Sequence, residues 1–455
     1  MKSILIAAFF FVSSSLSAQT ADGIWYGSLS VGAKQLRVTF TVRGAAATLN
    51  SLDRGTETPA SSIETNAGNL RIVFDVIKGT LEGTIKGNAF EGTWTQRGIA
   101  FPLKLERVDR IPETARPQEP AKPYPYDAEE VTFENAEAKV KLAGTLTKPH
   151  DGGPFPAVVL VSGSGPQDRD ETVFGHKPFL VLADYLTRRG IAVLRVDDRG
   201  VGGSTGQRDT ATTDDYAGDA IAAVNFLATR KEIDAKRIGL AGHSEGGMIA
   251  PLAATRSPRV TFIVLMAAPG LRGAELSVLQ SKTLLRSMGA SEGQVAFIGE
   301  LQQRIVDTAM QAIDETTLRA RLREMLTEAL ARVPPEQRAP FGDVDAMLDA
   351  QMKRLGAPWF RYMLRFDPVP LLRKVRVPVL ALNGSKDMQV PAEENLAAIS
   401  AAVRGNNRAR TIELAGLNHL FQTAPTGAMR EYASIEETFA PEAMRVIADW
   451  IGTLR

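Results

Sequence analysis

Along residues 20–108, a Gly- and Thr-rich stretch, apolar and polar positions alternate in short runs, at 35–42, 70–76, 79–85 and 89–94, broken by turn residues. A period of two sends successive side chains to opposite faces, so this stretch is expected to be a small all-β module, an antiparallel sheet or closed barrel without helix. Trp25, Phe40, Phe74, Phe90 and Trp94 fall on such positions and read as core rather than as the lining of a ligand cavity. The module is too short for a multi-bladed propeller, which needs roughly 40–50 residues per blade. Residues 109–127 (around IPETARPQEPAKPYPY) break the pattern and are expected to form a stiff, Pro-rich linker.

From 128 to 455 the period changes. Apolar runs at 131–134, 138–147, 157–161, 191–196, 238–241, 262–266, 379–383 and 411–414 alternate with helical stretches at 179–189, 214–230, 246–255 and 392–403. Continuous apolar runs joined by crossover helices predict an α/β domain, a mostly parallel sheet buried on both faces. A long insertion at about 271–374 carries apolar residues at helical spacing (Leu318, Leu322, Met325, Leu326, Leu330) and reads as a helical lid. Near its end Trp359 and Phe360, followed by Tyr362 and Met363, are candidates for an acyl pocket.

Residues 1–18, MKSILIAAFFFVSSSLSA, pair an early Lys with a short apolar run and a small-residue tail. This reads as a cleaved signal peptide and predicts a secreted or periplasmic protein without stable membrane insertion. Charge is balanced, with Lys+Arg 53 against Asp+Glu 52, so no nucleic-acid partner is expected. There is no cysteine, which excludes thiol catalysis and thiolate metal sites. The four histidines (His150, His176, His243, His419) lack metal-ligand spacing, and neither metal nor cofactor is expected. Nothing in the chain indicates an oligomeric state.

One motif carries chemistry. Gly242-His243-Ser244-Glu245-Gly246 is G-x-S-x-G between an apolar run and a helical stretch, where the glycines allow a sharp turn and Ser244 stands exposed at its tip. Together with the Asp197-Asp198-Arg199-Gly200-Val201-Gly202-Gly203-Ser204 turn and the Gly163-Ser164-Gly165-Pro166 loop, it makes residues 130–455 resemble an α/β-hydrolase. Within that superfamily the chain looks most like exported bacterial serine esterases related to the dienelactone-hydrolase and serine-peptidase branches. The resemblance implies an acid after the next-to-last strand, where Asp387 stands, and a base after the last, where His419 is the only histidine between Ser244 and the C-terminus. Asp367, beside Pro368, and Asp197 and Asp198 are weaker candidates for the acid.

The resemblance further implies an oxyanion hole from the N–H of Glu245 and that of Ser164, in a loop where Ser162 replaces the His many relatives carry. The Glu245 carboxylate is expected to be stabilised by the start of the following helix rather than to recognise an amine. Asp168, Arg169 and Asp170 are expected to shape the oxyanion loop by local ion pairing, and His243 to pack under the turn. The expected function is a serine hydrolase cleaving small carboxylic esters through Ser244, Asp387 and His419. A peptidase or amidase on the same residues is the alternative, and an inert ligand-binding protein is another.

Overall fold

The computed structural model describes residues 20–454 except 32–33, 53–55, 67, 112–113, 312–313, 336–337 and 339–342, so the signal peptide expected over 1–18 lies outside the described residues. Two compact units divide the chain, one ending at Glu113 and one spanning Thr114–Arg455.

The first unit consists of β1 (Gly23–Val31), β2 (Lys34–Arg43), β3 (Ala46–Ser51), β4 (Thr56–Pro59), β5 (Ser62–Asn66), β6 (Asn69–Phe74), β7 (Gly79–Lys86), β8 (Ala89–Gln96) and β9 (Ile99–Val108). They form one antiparallel sheet in the order β4-β3-β2-β1-β9-β8-β7-β6-β5. Consecutive residues draw its margins together: Ala60 N–H donates to Ala47 on β3 (2.8 Å) and Ser61 N–H to Val73 on β6 (2.7 Å). The alternating aromatics fill the interior. Trp25, Phe40, Phe74, Phe90 and Trp94 are all buried, and the Phe40, Phe74 and Trp94 rings meet at 5.7–6.0 Å. The run expected to continue to Val76 ends at Phe74, because Asp75–Ile77 forms one turn of 3-10 helix.

The Pro-rich stretch joins the second unit from Thr114 onward. Arg116 Nε donates to Gly175 O (2.9 Å) and its Nη1 to Ile435 O (2.7 Å), while the Gln118 amide donates to Phe439 O (2.7 Å). A chain rich in proline has few N–H groups of its own to pair, so these side chains supply its anchorage.

The second unit is built on β10 (Asp127–Asn135), β11 (Val140–Lys148), β12 (Phe155–Val161), β13 (Ala192–Val196), β14 (Ile233–His243), β15 (Phe262–Met266), β16 (Val379–Gly384) and β17 (Ala409–Leu414). The order is β10-β11-β13-β12-β14-β15-β16-β17, antiparallel at β10/β11 and β11/β13 and parallel elsewhere. Its helices are α1 (Pro178–Thr187), α2 (Thr213–Leu227), α3 (Gly246–Arg256), α4 (Gly273–Ser287), α5 (Glu292–Met310), α6 (Glu315–Ala331), α7 (Val344–Gly356), α8 (Pro358–Arg365), α9 (Pro368–Leu372), α10 (Ala392–Ala402) and α11 (Pro441–Thr453).

Period-two alternation explains why apolar runs make this sheet. On β12, Ala157 and Val159 join the cluster covered by α2, α3 and α10, and Val158 and Leu160 join the one covered by α1 and α11. Alternate residues of β15 and β16 divide the same way, so both faces are dry. The strand order reverses around β12, whose neighbours are β13 and β14, and the loops leaving the carboxyl ends of β12 and β14 therefore diverge around a crevice.

The insertion after β15 folds as α4 to α9. Ser291, Asp314 and Asp343 cap α5, α6 and α7 with side-chain oxygens. Leu318, Leu322 and Leu326 of α6 pack with Ile305 and Val306 of α5, Leu348 and Leu355 of α7, and Phe360 and Leu364 of α8. No described helix is long and apolar enough to cross a membrane.

Candidate active site

Strand β14 ends at His243 and α3 starts at Gly246, so Ser244 and Glu245 make the whole turn. Ser244 has φ +53°, a left-handed conformation costly for a residue with a Cβ. The flanking glycines tolerate no side chain: a Cβ on Gly242 would lie 2.0 Å from Gly246 O, and one on Gly246 2.1 Å from Val161 O. This crowding presses the elbow against the loop after β12. A Cβ on Gly163 would lie 3.2 Å from the Ser244 Cβ. The Gly163 N–H is taken by Glu171 Oε1 (2.7 Å), whereas the N–H groups of Ser164 and Glu245 donate to no acceptor among the described residues. Both residues line, with Ser244, a cavity of about 270 Å³.

Asp387 lies just beyond β16. Its Oδ1 accepts the N–H groups of Gln389 and Val390 (2.8 Å each), and its Oδ2 accepts the proton on His419 Nδ1 (2.7 Å). Both residues are buried, Asp387 at 4% and His419 at 4% exposure. Parallel pairing of β16 with β17 brings the two loops together. Lys386 N–H donates to Leu417 O (2.9 Å), and a Cβ on Gly384 would stand 2.2 Å from that same oxygen.

Asp387 and His419 are thus joined directly. The Ser244 hydroxyl has no hydrogen-bond partner among the described residues. What ties the loop of His419 to the elbow is His243, whose Nε2 lies 2.9 Å from His419 O, with the two rings 4.8 Å apart.

The Glu245 side chain departs from expectation. It makes no capping bond to α3; its Oε1 accepts instead from Thr213 Oγ1 and Trp359 Nε1, each at 2.7 Å. Burial pushes its carboxyl above the usual carboxylate range, against those two hydrogen bonds. The helix terminus is therefore not what this group leans on. Trp359 and Phe360 both line the cavity, and Phe360 also packs in the core of the insertion. Glu245, Ala357 and Trp359 also wall a second cavity of about 590 Å³, which reaches Asp197, Asp198 and Arg199.

The other acids are structurally committed. Asp197 pairs with Arg169 (2.8 Å) and accepts the Gly203 N–H (3.0 Å), Asp367 caps α9, and Asp198 accepts from Ser162 Oγ (2.8 Å). Asp168 Oδ1 accepts the Asp170 and Thr172 N–H groups, while the ion pairs of Arg169 and Asp170 reach Asp197 and Arg195, 28 and 25 residues away, rather than the local partners expected. Sequence reasoning missed Glu171 and Thr213. Glu171 follows that charged run and meets His243 from 72 residues away, a contact that no local pattern announces.

A family model described as serine aminopeptidase, S33 (Hydrolase_4), matches residues 177–421. The esterase EstD of Thermotoga maritima is 30% identical over 294 residues, covering 64% of this chain and 60% of that protein. An uncharacterized 31.7 kDa protein of Escherichia coli is 26% identical over 227 residues, covering 49% of this chain and 72% of that protein. Among solved structures, the Pyrococcus furiosus esterase Pf2001 matches with TM-score 0.44 at 16% identity, over 75% of this chain and 98% of that one. The family model spans more than half of the residues: the chain belongs to the serine aminopeptidase S33 family of α/β-hydrolases.

Proposed function

We propose that the protein is a serine carboxylesterase acting through Ser244, Asp387 and His419. What carries the reading is the convergence of a half-buried, left-handed serine with two unclaimed backbone N–H groups on one cavity, beside a buried His419–Asp387 pair. Because Nδ1 of His419 donates to Asp387, Nε2 is left to take the Ser244 proton as Oγ attacks the ester carbonyl. The oxyanion that develops is received by the N–H groups of Ser164 and Glu245. His419 then protonates the departing alcohol, leaving an acyl-enzyme that a water molecule hydrolyses by the same steps in reverse roles. The cavity of about 270 Å³, walled by Trp359, Phe360 and Met363, suits a modest acyl group.

The test compares the wild type with Ser244→Ala on short p-nitrophenyl esters, where a loss on the order of 10⁴ to 10⁶ is expected; undiminished turnover rejects the assignment. Aminoacyl anilides assayed alongside decide the amidase alternative, which the burial of Glu245 in the same cavity keeps in view. The signal-like segment 1–18 supports an exported protein. In the same preparations activity should then appear in the periplasmic or extracellular fraction, and confinement to the cytoplasm counts against export.

A further inference from the structure

His243 has oxygen acceptors on both ring nitrogens. Nδ1 lies 2.9 Å from Glu171 Oε1, and Nε2 lies 2.9 Å from the main-chain oxygen of His419. Glu171 Oε1 also accepts the Gly163 N–H at 2.7 Å, so the oxygen facing Nδ1 is tied to the loop after β12 as well. A neutral imidazole has one N–H, whereas an imidazolium has two and matches an acceptor on each nitrogen. His176 is the contrast within the same chain. Its Nδ1 faces the Thr438 hydroxyl (2.9 Å), which can donate as well as accept, and burial pushes its pKa down to about 4. For His243 burial is again the largest influence and opposes charge, yet the charge and hydrogen bond of Glu171, the His419 carbonyl and the nearby Asp387 together raise it.

We propose that Glu171 and His243 form a buried ion pair that positions the reacting groups, locking the oxyanion loop, the elbow and the loop of the base into one unit. Glu171 is 3% exposed and His243 7%, and the pair sits where three segments meet. Through Gly163 it fixes the backbone immediately before Ser164, so that the next N–H is the one left to face the cavity. Through His419 O it sets where the base begins its reach toward Ser244. The charged or titratable groups around the ring are Glu171, Asp387 and His419. Neither partner touches the reacting atoms, so both are positioning residues. The inference rests on the catalytic reading of Ser244, Asp387 and His419.

Two measurements test it. Nitrogen-15 NMR of the wild-type histidine rings at pH 8, above the ordinary histidine range, is expected to show two ring N–H protons on His243; a single proton there overturns the ion pair. Steady-state kinetics on a short p-nitrophenyl ester then compare the wild type with Glu171→Gln and Glu171→Asp, with Ser244→Ala as control. Glu171→Gln is expected to lower kcat by about 100-fold, the scale of an ångström-sized misplacement, with KM within about threefold, and to lose one ring proton from His243. Glu171→Asp, which keeps the charge, should recover part of kcat. A folded Glu171→Gln with wild-type kcat overturns the positioning role. Should Glu171→Gln not fold, the wild-type spectrum and the Glu171→Asp kinetics still decide, and full kcat in Glu171→Asp with a singly protonated His243 overturns the proposal. Activity surviving in Ser244→Ala would instead sink the catalytic reading, which the wild-type spectrum does not depend on.

Discussion

Asp198 stands between the loop after β12 and the cavity of about 590 Å³, and its charge is expensive there. Burial pushes its carboxyl up to about 7, with the charges of Glu245 and Glu171 adding to the rise, while bonds from Ser162 Oγ and the Gln167 N–H work the other way. The folded chain therefore holds this proton more tightly than the unfolded chain does. Its contribution to stability is present below the ordinary value of 3.8 and is lost as pH climbs from there to about 7. Asp198→Asn keeps an acceptor for Gln167 and a donor for the Ser162 hydroxyl without the charge. Its melting temperature relative to the wild type should rise between pH 5 and pH 8; a flat or falling difference contradicts the burial argument. At this scale the sequence was legible where geometry is local. Ser244 is announced by glycines two residues to either side that admit no Cβ. Asp387 and His419 are readable because each follows directly from a strand end. Glu171 and Thr213 are not, since each acts on the elbow from another segment, and Glu245 was misjudged because its partners Thr213 and Trp359 lie 32 and 114 residues away.

Helix α8 is short, and its role turns on one side chain. Trp359 donates to Glu245 from the wall shared by cavities of about 270 and 590 Å³. Trp359→Phe keeps the apolar wall and removes the donor. A lost hydrogen bond to a polar group of this kind is worth about 1–3 kcal/mol, so kcat/KM for short esters should fall roughly fivefold to 150-fold. Trp359→Ala removes the partition itself and should move the preferred acyl length upward in a p-nitrophenyl ester series; an unchanged chain-length profile shows that the second cavity is not reached. The periodicity of apolar residues located the elements well, because strands buried on both faces and amphipathic helices write their period into the chain. It faltered at margins where polar residues pair. Strand β14 begins at Ile233, well before the apolar run at 238, because Ile233 pairs with Phe155 across a shift in register while Asp234, Lys236 and Arg237 remain outside the core.

Over the whole chain, every residue assigned to the site lies in the unit Thr114–Arg455, and the first unit closes its own aromatic core. A chain starting at Thr114 keeps Arg116 and Gln118 on their carbonyl partners. It is therefore expected to hydrolyse short p-nitrophenyl esters within about threefold of the full chain, measured as kcat/KM, because Ser244, Asp387 and His419 all belong to the unit that is kept; a collapse of kcat in a folded truncation would assign the β unit a part in catalysis. The sequence by itself determined the class of fold and the division into an all-β stretch and an α/β stretch, and it nominated Ser244, Asp387 and His419, of which the structure joins the last two directly. Those follow from period, turn chemistry and chain order, all of which are local or sequential. Only the tertiary structure decided that both nitrogens of His243 face acceptors, that Gly163 yields its N–H to Glu171 while Ser164 keeps its own free, and that Glu245 leans on Trp359 rather than on its helix. Such contacts join segments that the chain separates, and the balance between burying a charge and pairing it exists only once folding has excluded the water between them.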